Sequence, residues 1–205
     1  MKTYSALPHL NGNLLCAVDI ETTGNRPRYH EPIQIAIVPL NSDLRPLRGV
    51  RAFYTDIQPL HIERADGRAT AVHQLPLEEL AIHAPSRDKV VDMLVEWFEG
   101  LDLPFEKQLV PLAHNWAFEA SFFKAWWGVP LLEKLFHPHP RDAMQLALAM
   151  NDRSVFKGEK APFNRVGLGS LCNVFNIINP KAHDAYHDCL AEAEVYRCLL
   201  LMDQF

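Results

Sequence analysis

Three apolar runs, Leu14 to Ile20, Ile33 to Leu40 and Val50 to Ile57, stand early in the chain, separated by clusters of Gly, Pro, Asn and Asp. Short apolar runs bounded by turn formers predict strands, and their close succession predicts an antiparallel meander. A periodic segment from Asp88 to Phe98, with Ser86 placed to cap it and Gly100 to stop it, predicts a helix. Gln108 to Ala113 predicts a fourth, buried strand. Beyond it the spacing of apolar positions becomes helical, over Trp116 to Trp127 (ended by Gly128), Ala143 to Met150, Gly167 to Phe175 and Ala185 to Met202. Strands first and helices later predict a mixed α/β domain.

With 205 residues, 48% hydrophobic and 22% charged, the chain has the composition of one globular domain over 1–205. Twenty Lys and Arg against 25 Asp and Glu give a formal charge of -5, which argues against a broad basic surface for tight, nonspecific duplex binding. It leaves room for an enzyme that grips only a strand end, where a few phosphate contacts and bound cations supply the attraction. Cys16, Cys172, Cys189 and Cys198 form no CxxC pair and sit in apolar surroundings, as buried free thiols of a reducing compartment would. Lys2 lies near the start, but the first apolar run is interrupted by Asp19 and is too short for a signal or spanning segment, so the expectation is a cytoplasmic protein away from the membrane.

The acids change the picture. In Asp19-Ile20-Glu21-Thr22-Thr23-Gly24 the two carboxylates alternate, so a strand puts them on one face where its apolar run ends. Two adjacent carboxylates repel unless a divalent cation neutralises them, and Mg²⁺ or Mn²⁺ prefers oxygen ligands. Solvated acids after a strand fit the same pattern. Glu119 shares a helical face with Phe122, Phe123 and Trp126, where an acid is paired, protonated or metal-bound unless it flanks the core and reaches water. Asp188 is in register with Ala191, Val195 and Leu199, and His183 precedes it by five residues. That spacing lets the imidazole approach a metal-bound water without itself being a ligand. A surface histidine and an acid favoured by a helix N-terminus fit it also.

In this order, the segments Asp19 to Gly24, His114-Asn115-Trp116-Ala117-Phe118-Glu119 and His183-Asp184-Ala185-Tyr186-His187-Asp188 resemble the three exonuclease motifs of the DEDD superfamily, in its DEDDh or DnaQ-like branch. Ala71-Val72-His73 before the first helix, Asp142 after the second motif, and Leu168 to Cys172 before the third are lesser similarities. The resemblance implies a ribonuclease H-like fold, a mixed sheet of antiparallel meander plus parallel strands flanked by helices. It also implies 3′-to-5′ exonuclease activity with two divalent ions, Mg²⁺ or Mn²⁺. Asp19 would bridge both ions, Glu21 and Asp188 would complete the site with Glu119, and His183 would deprotonate the water. Thr22 and Thr23 would meet the terminal nucleotide of a DNA or RNA 3′ end, and Val72, His73 and Phe118 would line its pocket. Phe118 equally fits a core position, and His73 a turn cap.

Glu119 stands where the family pattern has an aspartate. One more methylene shifts the carboxylate, yet charge and oxygen ligands are kept. The leading expectation is an active enzyme; the alternative is a weakened nucleic-acid-binding or polymerase-associated module. A polymerase would be a separate protein, and a homodimer is the other partner left open. Arg26 and Arg28 beyond the first motif, and Phe156, Lys157, Lys160, Phe163 and Arg165 in a long irregular segment from Ser154 to Arg165, are candidates to contact a strand. Trp116, Trp126 and Trp127 fit packing better than stacking on bases. His137 and His139 lack further ligands at metal-site spacing.

Overall fold

The computed structural model describes residues 10–202; residues 1–9, Lys2 among them, and 203–205 lie outside the described residues. At its centre is β1 (Leu14–Thr22), paired antiparallel with β2 (Pro32–Pro39) from Cys16 opposite Pro39 to Glu21 opposite Gln34. β3 (Phe53–Asp56) extends this antiparallel pairing on the far side of β2. On the other side of β1 the parallel strand β4 (Leu109–Ala113) sets Leu14 to Ala17 opposite Leu109 to Leu112. The two-residue β5 (Arg141–Asp142) pairs parallel with β4, which gives the order β3-β2-β1-β4-β5. The antiparallel meander joined to parallel strands is the ribonuclease H-like sheet that the sequence predicts.

Strand alternation sorts the core into two layers. Leu14, Cys16, Val18 and Ile20 of β1 face a layer built with α3 (Arg87–Gly100) and α4 (Trp116–Trp126), where Phe122 and Phe123 are fully buried. Leu15 and Ala17 face the long helix α8 (Ala185–Leu201), through Ala185, Cys189 and Ala193. Asp19 and Glu21 therefore continue the α8 face of β1, at the end where its ladder with β4 has stopped. The aromatic residues of α4 form a packed cluster: Phe123 stacks on Trp127 at 4.3 Å and meets Trp116 edge-on at 6.0 Å. That is the packing role expected of the tryptophans.

Several elements differ from expectation. β3 begins at Phe53 rather than Val50, because Val50 closes a turn onto Leu47 and Gly49 has a φ of 76°. Ala71-Val72-His73, expected before the first helix, lie inside α1 (Gly67–His73), which Asp66 caps through Arg68 N–H at 2.8 Å. α2 (Leu77–His83) follows at once, and α5 (Val129–Leu135) begins directly after Gly128. α6 (Ala143–Phe156) outruns its predicted end by six residues, so the segment read as irregular from Ser154 begins as helix. Phe163 in that segment is core: it is buried, and both its backbone groups bond the Asn151 side chain at 2.9 Å. α7 (Leu168–Phe175) completes the layer against α6 and α8. Among the described residues, no helix is long and apolar enough to cross a membrane. All four cysteines are free thiols; Cys16, Cys172 and Cys189 are buried.

Candidate active site

The first motif sits where β1 leaves the core. The Asp19 Oδ2 is buried with no hydrogen-bond partner among the described residues. Burial pushes the Asp19 carboxyl well above the usual range, and Glu21, Glu119 and Asp188 push it further. Glu21 is raised to about 8 by burial, then by Asp188 and Asp184. The motif ends in Gly24 for a steric reason: a Cβ there would lie 2.5 Å from the His30 ring, which is itself buried and accepts the Arg26 N–H on Nδ1 at 2.9 Å.

The second motif opens α4. Asn115 takes a left-handed φ of 87°, and the carboxylate of Asp142 receives the amides that this turn exposes: Trp116 N–H at 2.8 Å and Asn115 N–H at 3.3 Å. Asp142 also caps α6 through Gln145 N–H at 3.0 Å, so one side chain fixes two helix starts. Glu119, one turn into α4, is only 4% exposed, and its Oε2 is buried without a partner. Burial, then the charge of Asp142, holds its carboxyl well above the usual range.

The third motif enters α8 through His183, whose φ of 67° turns its backbone N–H onto Asp188 Oδ2 at 3.0 Å. Asn179 donates its side-chain N–H to the other oxygen, Asp188 Oδ1. Burial still raises Asp188 above its ordinary value, and these two bonds oppose the rise. The helix start is tied to the sheet: Gln34 on β2 accepts Ala185 N–H at 2.9 Å, and Tyr54 on β3 donates to the capping Asp184 at 2.7 Å. One ligand atom each from Glu21, His183 and Asp188 lies within 4.8 Å of the others.

The site thus gathers Asp19, Glu21, Glu119, Asp188 and His183, from β1, α4, α8 and the turn that leads into α8. A carboxylate oxygen can only accept, and an unpaired one in a dry interior is costly. Asp19 Oδ2 and Glu119 Oε2 are both in that condition, and oxygen donors of this kind suit a hard divalent cation. The residues present fit such an ion.

Beside the acids, a cavity of about 350 Å³ is lined by Glu21, Thr22, Asp66, Val72, His73 and Phe118, among others. Val72 is 47% exposed at its rim. His73 Nδ1 accepts Leu75 N–H at 2.9 Å, which is the turn cap, and in the neutral ring this leaves the proton on Nε2, buried and unpaired. Phe118 is half-buried and touches Phe122, 4.9 Å between ring centres. Thr23 does not reach the cavity: it is fully buried, and its Oγ1 accepts Glu31 N–H at 2.9 Å.

Three residues of this region escaped the sequence reading. Asn179 orients Asp188, Gln34 pins α8, and Glu192, fully buried on α8, accepts Val18 N–H at 3.0 Å. Glu192 carried a legible signal, since it stands four residues after Asp188, one helical turn on the same face.

The family model described as exonuclease, RNase_T, matches residues 16–196. No curated protein matches the sequence. Among solved structures, the chain is similar to cell-death related nuclease 4 (CRN-4), with 20% identity, a TM-score of 0.68, and coverage of 93% of this chain and 64% of that one. It is also similar to E. coli exonuclease I in complex with a dT13 oligonucleotide, at 17% identity and TM-score 0.67, covering 92% of this chain and 41% of that one. The moderately thermophilic exonuclease I of Methylocaldum szegediense gives 19% identity and TM-score 0.69, covering 94% and 41%. The chain therefore spans less than two thirds of the length of these structures.

Proposed function

The chain belongs to the RNase_T exonuclease family, and from that premise we propose that it removes nucleotides one at a time from the 3′ end of single-stranded DNA or RNA, releasing nucleoside monophosphates. The observation that carries this reading is the convergence of Asp19, Glu21, Glu119 and Asp188 at the end of β1, where Asp19 Oδ2 and Glu119 Oε2 are buried with no donor among the described residues. These four carboxylates would hold two divalent cations, Mg²⁺ or Mn²⁺. When bound, such a pair supplies electrostatic stabilisation of the attacking and leaving oxygens of an in-line displacement at phosphorus.

The protein's own groups do the rest. His183, exposed beside Glu21 and Asp188, takes the proton from the attacking water, the task an imidazole suits near neutral pH. Asn179 and the His183 amide hold Asp188 in one orientation. In the adjoining cavity, Val72 and Phe118 pack against the terminal base without reading its edge, and Thr22 and His73 border the nucleotide. Thr23 acts from behind, holding the loop after the motif.

A second cleft, of about 790 Å³, supports a nucleic-acid ligand. It shares Asn25 with the first and is lined by Arg26, Arg28, Tyr29 and Lys124, with no carboxylate in its wall. In a chain of net charge -5 such a local cationic wall suits a phosphate backbone leading away from the reacting end. E. coli exonuclease I, of similar fold, was solved holding a dT13 oligonucleotide, which favours a single strand.

The test is digestion of 5′-labelled DNA and RNA single strands with Mg²⁺, Mn²⁺ or EDTA, with Asp19→Ala as the control for contaminating nuclease. The expected result is a descending ladder that EDTA and the variant abolish. A wild type silent under every cation, with cutting restored by Glu119→Asp, would mark a site detuned by one methylene. Silence in both would favour a binding module.

A further inference from the structure

Glu192 is 0% exposed, and among the described residues no lysine, arginine or histidine pairs with its carboxyl. Its Oε1 accepts Val18 N–H at 3.0 Å, just past Ala17, where the ladder between β1 and β4 ends. The backbone of His114, the residue that follows β4, also favours the charged form of this carboxyl. The side chain thus sits in the fork where the two strands separate, between Asp19 on one branch and the second motif on the other. Accepting the Val18 amide needs only a neutral amide oxygen. A carboxylate in that position is unexplained by it, because its Oε2 is buried with no partner among the described residues. The charges that bear on it are those of Asp19 and Glu119, whose own Oδ2 and Oε2 are likewise buried and unpaired.

We propose that Glu192 is a fifth carboxylate of the metal centre, sharing one divalent cation with Asp19 and Glu119. The proposal rests on the reading that this site holds divalent ions. Three unpaired, buried carboxylate oxygens from β1, α4 and α8 have one chemistry in common, a demand for positive charge, and a hard cation is the ligand that meets it without a donor proton. Glu119 and Glu192 then belong together. A ligand set with glutamate in place of aspartate on α4 gains a further oxygen from α8, one turn beyond Asp188.

The test titrates Mn²⁺ into the full chain by calorimetry, for wild type, Glu192→Gln and Asp188→Asn, with thermal unfolding measured in EDTA and in Mn²⁺. Glutamine keeps an acceptor for Val18 N–H, so Glu192→Gln is expected to melt in EDTA no lower than wild type. Its Mn²⁺ affinity falls at least about tenfold, the size of effect that loss of a metal-supporting group produces, and Mn²⁺ raises its melting temperature less. Wild-type Mn²⁺ affinity and wild-type thermal gain in Glu192→Gln would overturn the proposal and leave Glu192 as a tie between β1 and α8. If Glu192→Gln does not fold, Glu192→Asp, which keeps the charge and withdraws the oxygen, is judged by the same criteria. Weakened binding in Asp188→Asn with intact binding in Glu192→Gln would sink the role of Glu192 alone. Intact binding in both, or none in wild type, would sink the divalent-ion reading as well.

Discussion

Carboxylates brought together out of water set the behaviour of single residues here. Burial, then Asp188 and Asp184, push the Glu21 carboxyl up to about 8, against roughly 4.3 for an unfolded glutamate. Between those values the folded chain keeps a proton that the unfolded chain has released, so stability declines as pH rises from about 4 to about 8. Asp19, raised by burial and by its acid neighbours, adds to the decline. Chemical denaturation in EDTA across that range is expected to show the fall, and Mg²⁺ to reverse much of it at pH 8; a flat profile would mean that the acids are less confined than their geometry indicates. His183 is different in kind. Its replacement by Ala is expected to slow turnover by roughly 10²–10⁴-fold, the range for loss of a general base, while Mn²⁺ affinity stays at the wild-type level. Because His183 also lies within ligand distance of Glu21 and Asp188, a large loss of Mn²⁺ affinity would instead make it a ligand.

At the scale of elements, the site depends on where helices begin. Asp142 receives the first amides of α4 and of α6, so Asp142→Ala leaves Asn115, Trp116 and Gln145 without their acceptor. The expected cost is about 1–2 kcal/mol for each cap lost, measured as a lower urea midpoint, together with weaker activity because α4 carries Glu119. An unchanged midpoint would show that water replaces the carboxylate at no cost. The same scale marks what the sequence disclosed. Long apolar runs such as Leu14 to Ile20 and long periodic segments such as Ala185 to Met202 announced β1 and α8, and with them the positions of Asp19, Glu21 and Asp188. The seven-residue helices α1 and α2 left no such trace, because helices this short are held by packing rather than by propensity. β5 is two residues long and exists only because β4 lies beside it. Glu192 left only its one-turn spacing from Asp188 as a trace, because its bond to a strand 174 positions away exists only in the folded chain. Phe163 failed in the other direction, since a phenylalanine in a loop gives no sign that Asn151 will fold the loop over it.

For the whole molecule, the question is how an acidic chain holds an acidic substrate. The cationic wall of Arg26, Arg28 and Lys124 adjoins the cavity beside the acids, with Asn25 common to both. Replacing both Arg26 and Arg28 by Ala is expected to raise KM for long oligonucleotides and leave kcat nearly unchanged. It should also reduce the slope of log affinity against log salt by about 1.4, at roughly 0.7 per phosphate contact on single strands. Unaltered salt dependence would place the strand on another face. Stepwise removal from the 3′ end is decided by one time course with Mn²⁺ on the same single strand labelled at either end. The 3′ label is expected to leave at once as a mononucleotide while the 5′ label descends through every intermediate length; early release of the 5′ label, or fragments cut from the interior, would overturn it.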